Sequence, residues 1–193
     1  MYLSILNRVY PIKDSNLEWG GPRQSFEGIV MIVISFVAAS SNSGKTTLIE
    51  KVVTILKARG LRVAVIKHAS GGFDLDRPGK DSWRFQQAGA DTVILVGAGR
   101  MALMKKIEQQ PSPEEMERLA DDVDLVIYEG FKQDAKNKIE VFRRSVSGDH
   151  PLSMTDPSYR ALVSDTPFMV SIPQFDINDA EGVAAFIVDN KTP

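Results

Sequence analysis

The apolar positions after Met31 alternate between short unbroken runs and segments with helical spacing. The first run, residues 29–38, is mostly β-branched and does not alternate, which is typical of a strand buried on both faces of a parallel sheet. Apolar residues then recur at helical spacing over residues 48–56, and Gly60 is placed to end that helix. Later runs predict strands over residues 61–66, 92–96, 101–104, 124–128, 139–142 and 161–163, and helices over residues 82–88, 113–119 and after 178.

This order of segments predicts an α/β fold with a mainly parallel β-sheet covered by helices on both faces. Residues 1–30 lack such patterning and contain several turn-forming prolines and glycines. We therefore expect an N-terminal extension over residues 1–30, which is either upstream of a true start at Met31 or an arm that docks on a partner, and one domain over residues 31–193. Residues 143–158, with two prolines and mixed charge, predict an exposed connection.

Composition narrows the classes of partner. The chain has 23 Lys and Arg against 25 Asp and Glu, a net charge of −2, so we expect no nucleic-acid partner, since it lacks the broad positive field of non-specific binders. The absence of cysteine excludes disulfides and thiolate catalysis and favours a cytoplasmic location. The longest apolar run is about half of what a membrane-spanning helix requires, so no membrane association is expected.

A phosphate-binding loop is predicted between the first strand and the first helix. A loop of small residues that leads into Gly-Lys-Thr at a helix start cradles phosphates, because its backbone N–H groups turn inward and the helix dipole adds positive potential. Lys45 supplies charge to the β- and γ-phosphates, the Thr46 hydroxyl ligates Mg²⁺, and Thr47 adds an α-phosphate contact. Ala39 stands where the strict motif has glycine, so a merely polar helix start is the alternative. The expected nucleotide-binding residues are Ser41, Asn42, Ser43, Gly44, Lys45, Thr46 and Thr47.

A phosphate-loop site also needs an acid at the end of a neighbouring strand, where it can hold Mg²⁺. Glu129 follows an apolar run and is the first candidate, with a surface glutamate in a strand-to-turn step as the alternative. Asp74 and Asp76 follow the second strand; they either bind metal or activate a water or hydroxyl, or they only solvate a turn. The candidate catalytic residues are thus Lys45, Asp74, Asp76 and Glu129, and the candidate metal ligands are Thr46, Glu129 and Asp76.

Several ordered blocks of the chain resemble the molybdopterin-guanine dinucleotide biosynthesis protein B (MobB) family. The blocks are residues 39–47, 65–68, 73–82, 88–90, 129–132, 138–143 and 176–179, so the resemblance covers nearly everything after Met31. It implies a P-loop NTPase fold and a GTP-binding, usually homodimeric protein with weak Mg²⁺-dependent GTPase activity. Such a protein assists a molybdopterin guanylyltransferase that attaches GMP to molybdopterin. The resemblance therefore implies GTP and Mg²⁺ as cofactors, and molybdopterin or molybdenum cofactor as a further ligand.

The chain departs from common features of the family or of guanine-binding proteins in two segments. Many members have histidines or an acid after the Lys-His pair, where this chain has Ser70-Gly71-Gly72, so His68 is expected to be a hydrogen-bonded residue at a strand end. The N-K-x-D signature for guanine is absent, and residues 137–140 imitate it only within a predicted strand. Asp165 follows the run 161–163 and either offers its carboxylate to guanine or is a turn acid before Pro167.

Three functions remain in order of preference. The first is a GTP-binding accessory protein, and the second is a docking module without turnover that binds any phosphorylated ligand, molybdopterin included. The third is a small-molecule kinase in which Asp74 or Asp76 takes a proton from the acceptor. The kinase ranks last because the arginines are scattered along the chain rather than grouped as phosphoryl transfer requires.

Overall fold

The structure, a computed structural model, describes residues 31–69, 71–73, 76–131 and 135–189. These residues belong to one compact unit, and the prediction for residues 1–30 lies outside the described residues. The elements, in chain order, are β1 (Ile32–Val37), α1 (Lys45–Ala58), β2 (Val63–Lys67), α2 (Asp81–Gln87), β3 (Thr92–Gly97), β4 (Arg100–Lys105), α3 (Pro113–Arg118), β5 (Leu125–Glu129), β6 (Lys138–Phe142), α4 (Arg144–Ser147), a 3-10 turn (Leu152–Met154), β7 (Tyr159–Ser164), β8 (Gln174–Asp176) and α5 (Ala180–Asp189).

Six of the strands form one sheet in the order β2-β5-β1-β6-β7-β8. Every neighbouring pair in this sheet is parallel, which confirms the predicted α/β fold. From β1 the chain continues to β2 on one side of the sheet, whereas from the adjacent β6 it continues to β7 on the other side. The loop after β1 therefore lies at a topological switch point at the carboxyl edge, where open α/β sheets bind their ligands.

The two longest helices, α1 and α5, pack against each other and cover one face of the sheet. Alternate residues of β1, β5, β6 and β7 point to this face, as the two-residue period of a strand requires. The core on this face is apolar throughout, and its larger side chains are Ile34, Phe36, Leu48, Ile49, Val52, Leu56, Leu125, Ile127, Ile139, Val141, Val163, Val183 and Ile187.

Shorter elements cover the opposite face. The Tyr128 hydroxyl donates to the carbonyl oxygen of Pro113 at 3.1 Å, which holds α3 against β5. The Phe142 ring meets the Phe168 ring edge-on with 5.0 Å between centroids. The predicted helical cover on both faces is therefore confirmed, although the second face is covered by a six-residue helix and by loops. None of the described helices combines the length and apolarity needed to span a bilayer.

The strands β3 and β4 differ from the other strands. Among the strands that the structure describes, they pair with each other and with no third strand, antiparallel, with Thr92 opposite Lys105 and Gly97 opposite Arg100. The sequence pattern predicted both strands but not their separation from the parallel sheet. The short turn at Gly99, which has a φ of 74°, explains why the two strands are antiparallel to each other, since so short a connection cannot join parallel strands. The hairpin leaves large apolar side chains 44% to 77% exposed: Ile94, Leu95, Val96, Met101 and Leu103.

The connection after β6 is held more firmly than its composition indicated. Glu140 of β6 is 0% exposed, and its two carboxylate oxygens accept hydrogen bonds from the backbone N–H groups of Leu152 and Ser153, each at 2.8 Å. Residues 144–146 and 148–150 are exposed as predicted, whereas Pro151 is buried. The expectation of an exposed connection is thus wrong at Pro151, which is buried, and holds at Met154, which is 47% exposed. Leu152 and Ser153 are half-buried, where their backbone N–H groups bind the carboxylate of Glu140.

Candidate phosphate-loop site

The loop between β1 and α1 reaches the helix through two residues in the left-handed region, Asn42 with a φ of 60° and Gly44 with a φ of 92°. A β-carbon at Gly44 would lie 3.2 Å from Nη2 of Arg143. Glycine is therefore favoured here by its backbone conformation, and the absence of a β-carbon also leaves room for the end of the arginine side chain. The first N–H groups of α1 follow directly and have no partners within the helix.

The loop encloses the amine of its own lysine. Nζ of Lys45 donates to the carbonyl oxygen of Ser40 and to Oγ of Ser43, each at 3.3 Å, and Ser43 is 1% exposed. The loop and helix start form one side of a cavity of about 1060 Å³. The structure brings all seven residues predicted from the motif to this cavity, namely Ser41, Asn42, Ser43, Gly44, Lys45, Thr46 and Thr47.

Glu129 ends β5, beside β1, and belongs to the same site. Its Oε1 accepts a hydrogen bond from Oγ1 of Thr46 at 2.7 Å, although the two residues are 83 positions apart. Its Oε2 lies 3.2 Å from Nζ of Lys67. Parallel register explains the meeting, since Glu129 lies opposite Phe36 of β1 and opposite Lys67 of β2. A hydroxyl and a carboxylate are oxygen donors of the kind that Mg²⁺ takes beside phosphate oxygens, so these two residues fit such an ion.

Two of the other predicted acids, Asp76 and Asp165, are described by the structure and do not join this site. The carboxylate of Asp76 accepts from the backbone N–H of Arg77 at 2.9 Å and from Nε2 of Gln86 at 3.4 Å, so it braces the segment before α2 and does not line the cavity. Asp74 lies outside the described residues. Asp165 follows β7, where its Oδ1 accepts from the backbone N–H of Arg144 at 2.9 Å, and it too is not part of the cavity wall.

His68 is a residue of the strand end, as its sequence context predicted. Its backbone N–H donates to the carbonyl oxygen of Glu129 at 3.0 Å, and its ring packs against Phe131 with 5.1 Å between centroids. Phe131 has a φ of 46°, so the chain turns sharply after β5. Within the described ranges, no three His, Cys, Asp or Glu side chains form a group that could hold a metal. A metal at this site would therefore depend on ligand oxygens as well as protein oxygens.

Sequence reasoning missed several residues of the cavity wall: Lys67, His68, Gln110, Phe131 and Arg143. Lys67 and Arg143 had a usable signal, since each stands at the carboxyl end of an apolar run and such ends meet at one edge of a parallel sheet. Gln110 lies in the segment between β4 and α3 and had no such signal. The described wall thus carries three permanent cations against one carboxylate, an excess of positive charge in a chain whose net charge is −2.

The geometry agrees with comparisons to known proteins. A family model described as molybdopterin guanine dinucleotide synthesis protein B (MobB) matches residues 33–165. The Escherichia coli K12 protein named molybdopterin-guanine dinucleotide biosynthesis adapter protein is 38% identical over 170 residues, which is 84% of this chain and 95% of that one. The protein of the same name from Haemophilus influenzae is 38% identical over 156 residues, 78% of this chain and 85% of that one.

Solved structures match the same region. A crystal structure of molybdopterin-guanine biosynthesis protein B has a TM-score of 0.62 at 30% identity, covering 82% of this chain and 99% of that one. The fold of Bacillus subtilis MobB matches with a TM-score of 0.65 at 22% identity, covering 82% and 97%. The matched sequence, the fold and the phosphate-loop geometry lead to one conclusion: this chain belongs to the MobB family.

Proposed function

We propose that this protein is a cytoplasmic GTP-binding adapter of molybdopterin guanine dinucleotide biosynthesis, which assists a molybdopterin guanylyltransferase in attaching GMP to molybdopterin. The observation that carries the proposal is the 2.7 Å hydrogen bond between Thr46 and Glu129, in a cavity whose described wall has more cations than carboxylates. A phosphate loop, a helix-start hydroxyl and a strand-end carboxylate together form a site for a Mg²⁺-bound nucleoside triphosphate. The adapter role follows from relatives that are 38% identical.

The hydrogen bond between Thr46 and Glu129 also indicates how the nucleotide is oriented in the cavity. Thr46 faces β5, where it bonds Glu129, so the metal and the terminal phosphates belong on the β5 side of the loop. Mg²⁺ held by these two oxygens would neutralise phosphate charge. The nucleoside then extends toward β6 and β7, the side on which Arg143 lies against Gly44. Asp165 follows β7 on that side, and its carboxylate is our candidate acceptor for the guanine N1–H and amino group.

Slow hydrolysis fits this arrangement better than phosphoryl transfer to an acceptor. Glu129 is the sole carboxylate among the described residues of the wall, and both of its oxygens are engaged, one by Thr46 and one by Lys67. Asp76 is engaged with Gln86 away from the cavity. None of the carboxylates described in the wall is therefore placed to activate an attacking water or hydroxyl, and we propose weak GTPase activity rather than a kinase.

The exposed apolar side chains of the β3–β4 hairpin favour a homodimer. Five of its large apolar side chains are 44% to 77% exposed, and Val96 is the most exposed of them. An apolar patch of this kind on a protein that acts as an adapter is typical of an interaction surface. We therefore propose that the β3–β4 hairpin contacts a second copy of the chain.

The docking module stays the second candidate function. Lys45, Lys67 and Arg143 attract any phosphorylated group, and the phosphate of molybdopterin or molybdenum cofactor is one such group. The two candidates differ in whether the base is recognised. GTP and ATP should bind with different affinity if guanine is read, and with equal affinity if the loop binds phosphate alone.

Calorimetric titration with GTP, ATP and Mg²⁺ tests the proposal. Lys45→Ala should weaken GTP binding by about tenfold or more, because a charge-assisted hydrogen bond is lost. Lys57→Ala is the matched control, since Lys57 is exposed at the other end of α1. Glu129→Gln should reduce the dependence of binding on Mg²⁺. Unchanged GTP affinity in Lys45→Ala would contradict the proposal, and capture of a molybdopterin guanylyltransferase from extract only with GTP would support the adapter role.

A further inference from the structure

Lys67 is the last residue of β2, the outer strand of the sheet beside β5. Among the residues of β2, Lys67 alone lines the phosphate cavity. Its Nζ lies 3.2 Å from Oε2 of Glu129, and the lysine side chain is 58% exposed while that of the glutamate is 11% exposed. The ammonium group thus stands on the open side of a mostly buried carboxylate.

A purely structural role does not account for this lysine. An ion pair with one partner more than half in water contributes little to folding, because solvent screens the charges and a long side chain loses its freedom. Glu129 also has a second polar partner in Thr46 at 2.7 Å. The position of Lys67 is better explained by a ligand that enters the cavity from the exposed side.

The order of charged groups along the cavity indicates which part of the ligand Lys67 meets. Glu129 has Thr46 on one oxygen and Lys67 on the other, so Lys67 lies on the same flank as the helix-start hydroxyl. Arg143 lies on the opposite flank, after β6 and against Gly44. A triphosphate with its metal-binding end at Thr46 and its nucleoside toward β6 therefore presents its terminal phosphate to Lys67.

We infer that Lys67 recognises the terminal phosphate and makes this protein prefer GTP to GDP, an inference that rests on the proposed function. An ammonium group has three donors, so Lys67 can bond a phosphate oxygen while it keeps its contact with Glu129. Charge-assisted bonds to phosphate are among the stronger polar contacts in proteins. The diphosphate lacks the group that Lys67 bonds, and the preference follows from that difference.

The test is calorimetric titration of the full chain, in Mg²⁺, with GDP and with a non-hydrolysable GTP analogue. Lys67→Gln should lower affinity for the analogue by about tenfold, while affinity for GDP changes by less than about twofold. Lys67→Arg keeps the charge and should retain most of the preference. Lys57→Gln is the control, because Lys57 lies twelve positions along α1 from Lys45, about 18 Å on the helix axis, and should leave both affinities unchanged.

Melting temperature without nucleotide shows whether the variants fold, and Lys67→Gln should stay within about 2 °C of the wild type. If a folded Lys67→Gln keeps the wild-type ratio of the two affinities, or loses both affinities equally, the role of Lys67 is overturned while the proposed function stands. If the wild type binds neither nucleotide, the proposed function fails and this inference fails with it. The role of Lys67 is supported only if Lys67→Gln loses the preference for the GTP analogue over GDP while Lys57→Gln keeps it.

Discussion

The six-stranded sheet and the β3–β4 hairpin are both built from apolar strands, yet they differ in how far their side chains are buried. In the sheet even a carboxylate, that of Glu140, is completely buried, whereas in the hairpin Val96 is 77% exposed. The central strands of the sheet have helices or ordered turns on both faces, whereas Val65 of the outer strand β2 is 46% exposed. The hairpin packs mainly against the seven-residue α2. Burial is therefore decided by the element that covers a strand, and an apolar strand without such cover indicates an interaction surface.

The largest difference between the two regions should appear at Glu140. Glu140→Ala is expected to lower the free energy of unfolding by about 2–4 kcal/mol, since the half-buried N–H groups of Leu152 and Ser153 lose their acceptor and the buried side chain of Glu140 leaves a cavity. Urea denaturation followed by circular dichroism measures this. Glu140→Gln keeps one acceptor oxygen and should therefore lose less stability. Glu108→Ala, at an exposed position, should change the free energy of unfolding little. A loss below about 1 kcal/mol in Glu140→Ala would mean that the 3-10 turn is not held by this carboxylate.

A matched pair of valines tests the comparison directly. Val126 of β5 is 0% exposed and Val96 of β3 is 77% exposed. Val126→Ala should cost about 2 kcal/mol, from lost transfer energy and a small cavity, and Val96→Ala less than about 0.5 kcal/mol. The same denaturation experiment applies, at a protein concentration low enough for a monomer. Equal losses would show that the hairpin is buried in solution.

Tyr128 connects the parallel sheet to α3 and should make stability depend on alkaline pH. Burial, and then the nearby carboxylate of Glu117, raise the pKa of the Tyr128 hydroxyl to about 12. Because this pKa exceeds the ordinary value of 10.0, the stabilisation is complete below pH 10 and is lost as the pH rises toward 12. Near neutral pH, Tyr128→Phe should lower the free energy of unfolding by about 1 kcal/mol, because the substitution removes the hydrogen bond to Pro113. Above pH 10, the stability of the variant should fall less steeply than that of the wild type.

Thermal melts from pH 7 to 11.5 measure that slope. Tyr159, whose pKa is also raised to about 12 by burial and by Glu140, adds to the wild-type slope, so Tyr128→Phe should flatten it only in part. Parallel slopes in wild type and Tyr128→Phe would contradict the proposed source of the pH dependence.

The smallest effect on folding should come from the hairpin. Val96→Lys is expected to change the free energy of unfolding of the monomer by less than about 0.5 kcal/mol, because the side chain is already in water. The same substitution should convert a homodimer into a monomer in sedimentation velocity, since a charge is costly in an apolar interface. Leu119→Lys is the control, as Leu119 is 81% exposed after α3 and outside the hairpin. A Val96→Lys protein that stays dimeric would place the interface elsewhere.

Much of the candidate site was open to prediction because its parts are contiguous in the chain. The phosphate loop with Lys45 and Thr46 is a local signal, and Glu129 was found because an acid after a buried strand is also local. Asp76 had the same kind of signal, yet it lies away from the cavity and bonds Gln86. Local pattern therefore finds residues at strand ends, and it does not tell which loops turn toward the ligand.

Most of the strands and helices, the family and the phosphate loop could be found from the sequence alone, since each depends on patterns within a few turns or strand lengths. The short elements β8 and α4 were not predicted, because three or four residues are too few to show a period. Tertiary structure alone decided that Lys67 and Thr46 share Glu129, that Glu140 is buried, and that one hairpin lies outside the sheet. The physical reason is that these features depend on strand register and on which element covers which face. Both are properties of contacts between residues far apart in the chain.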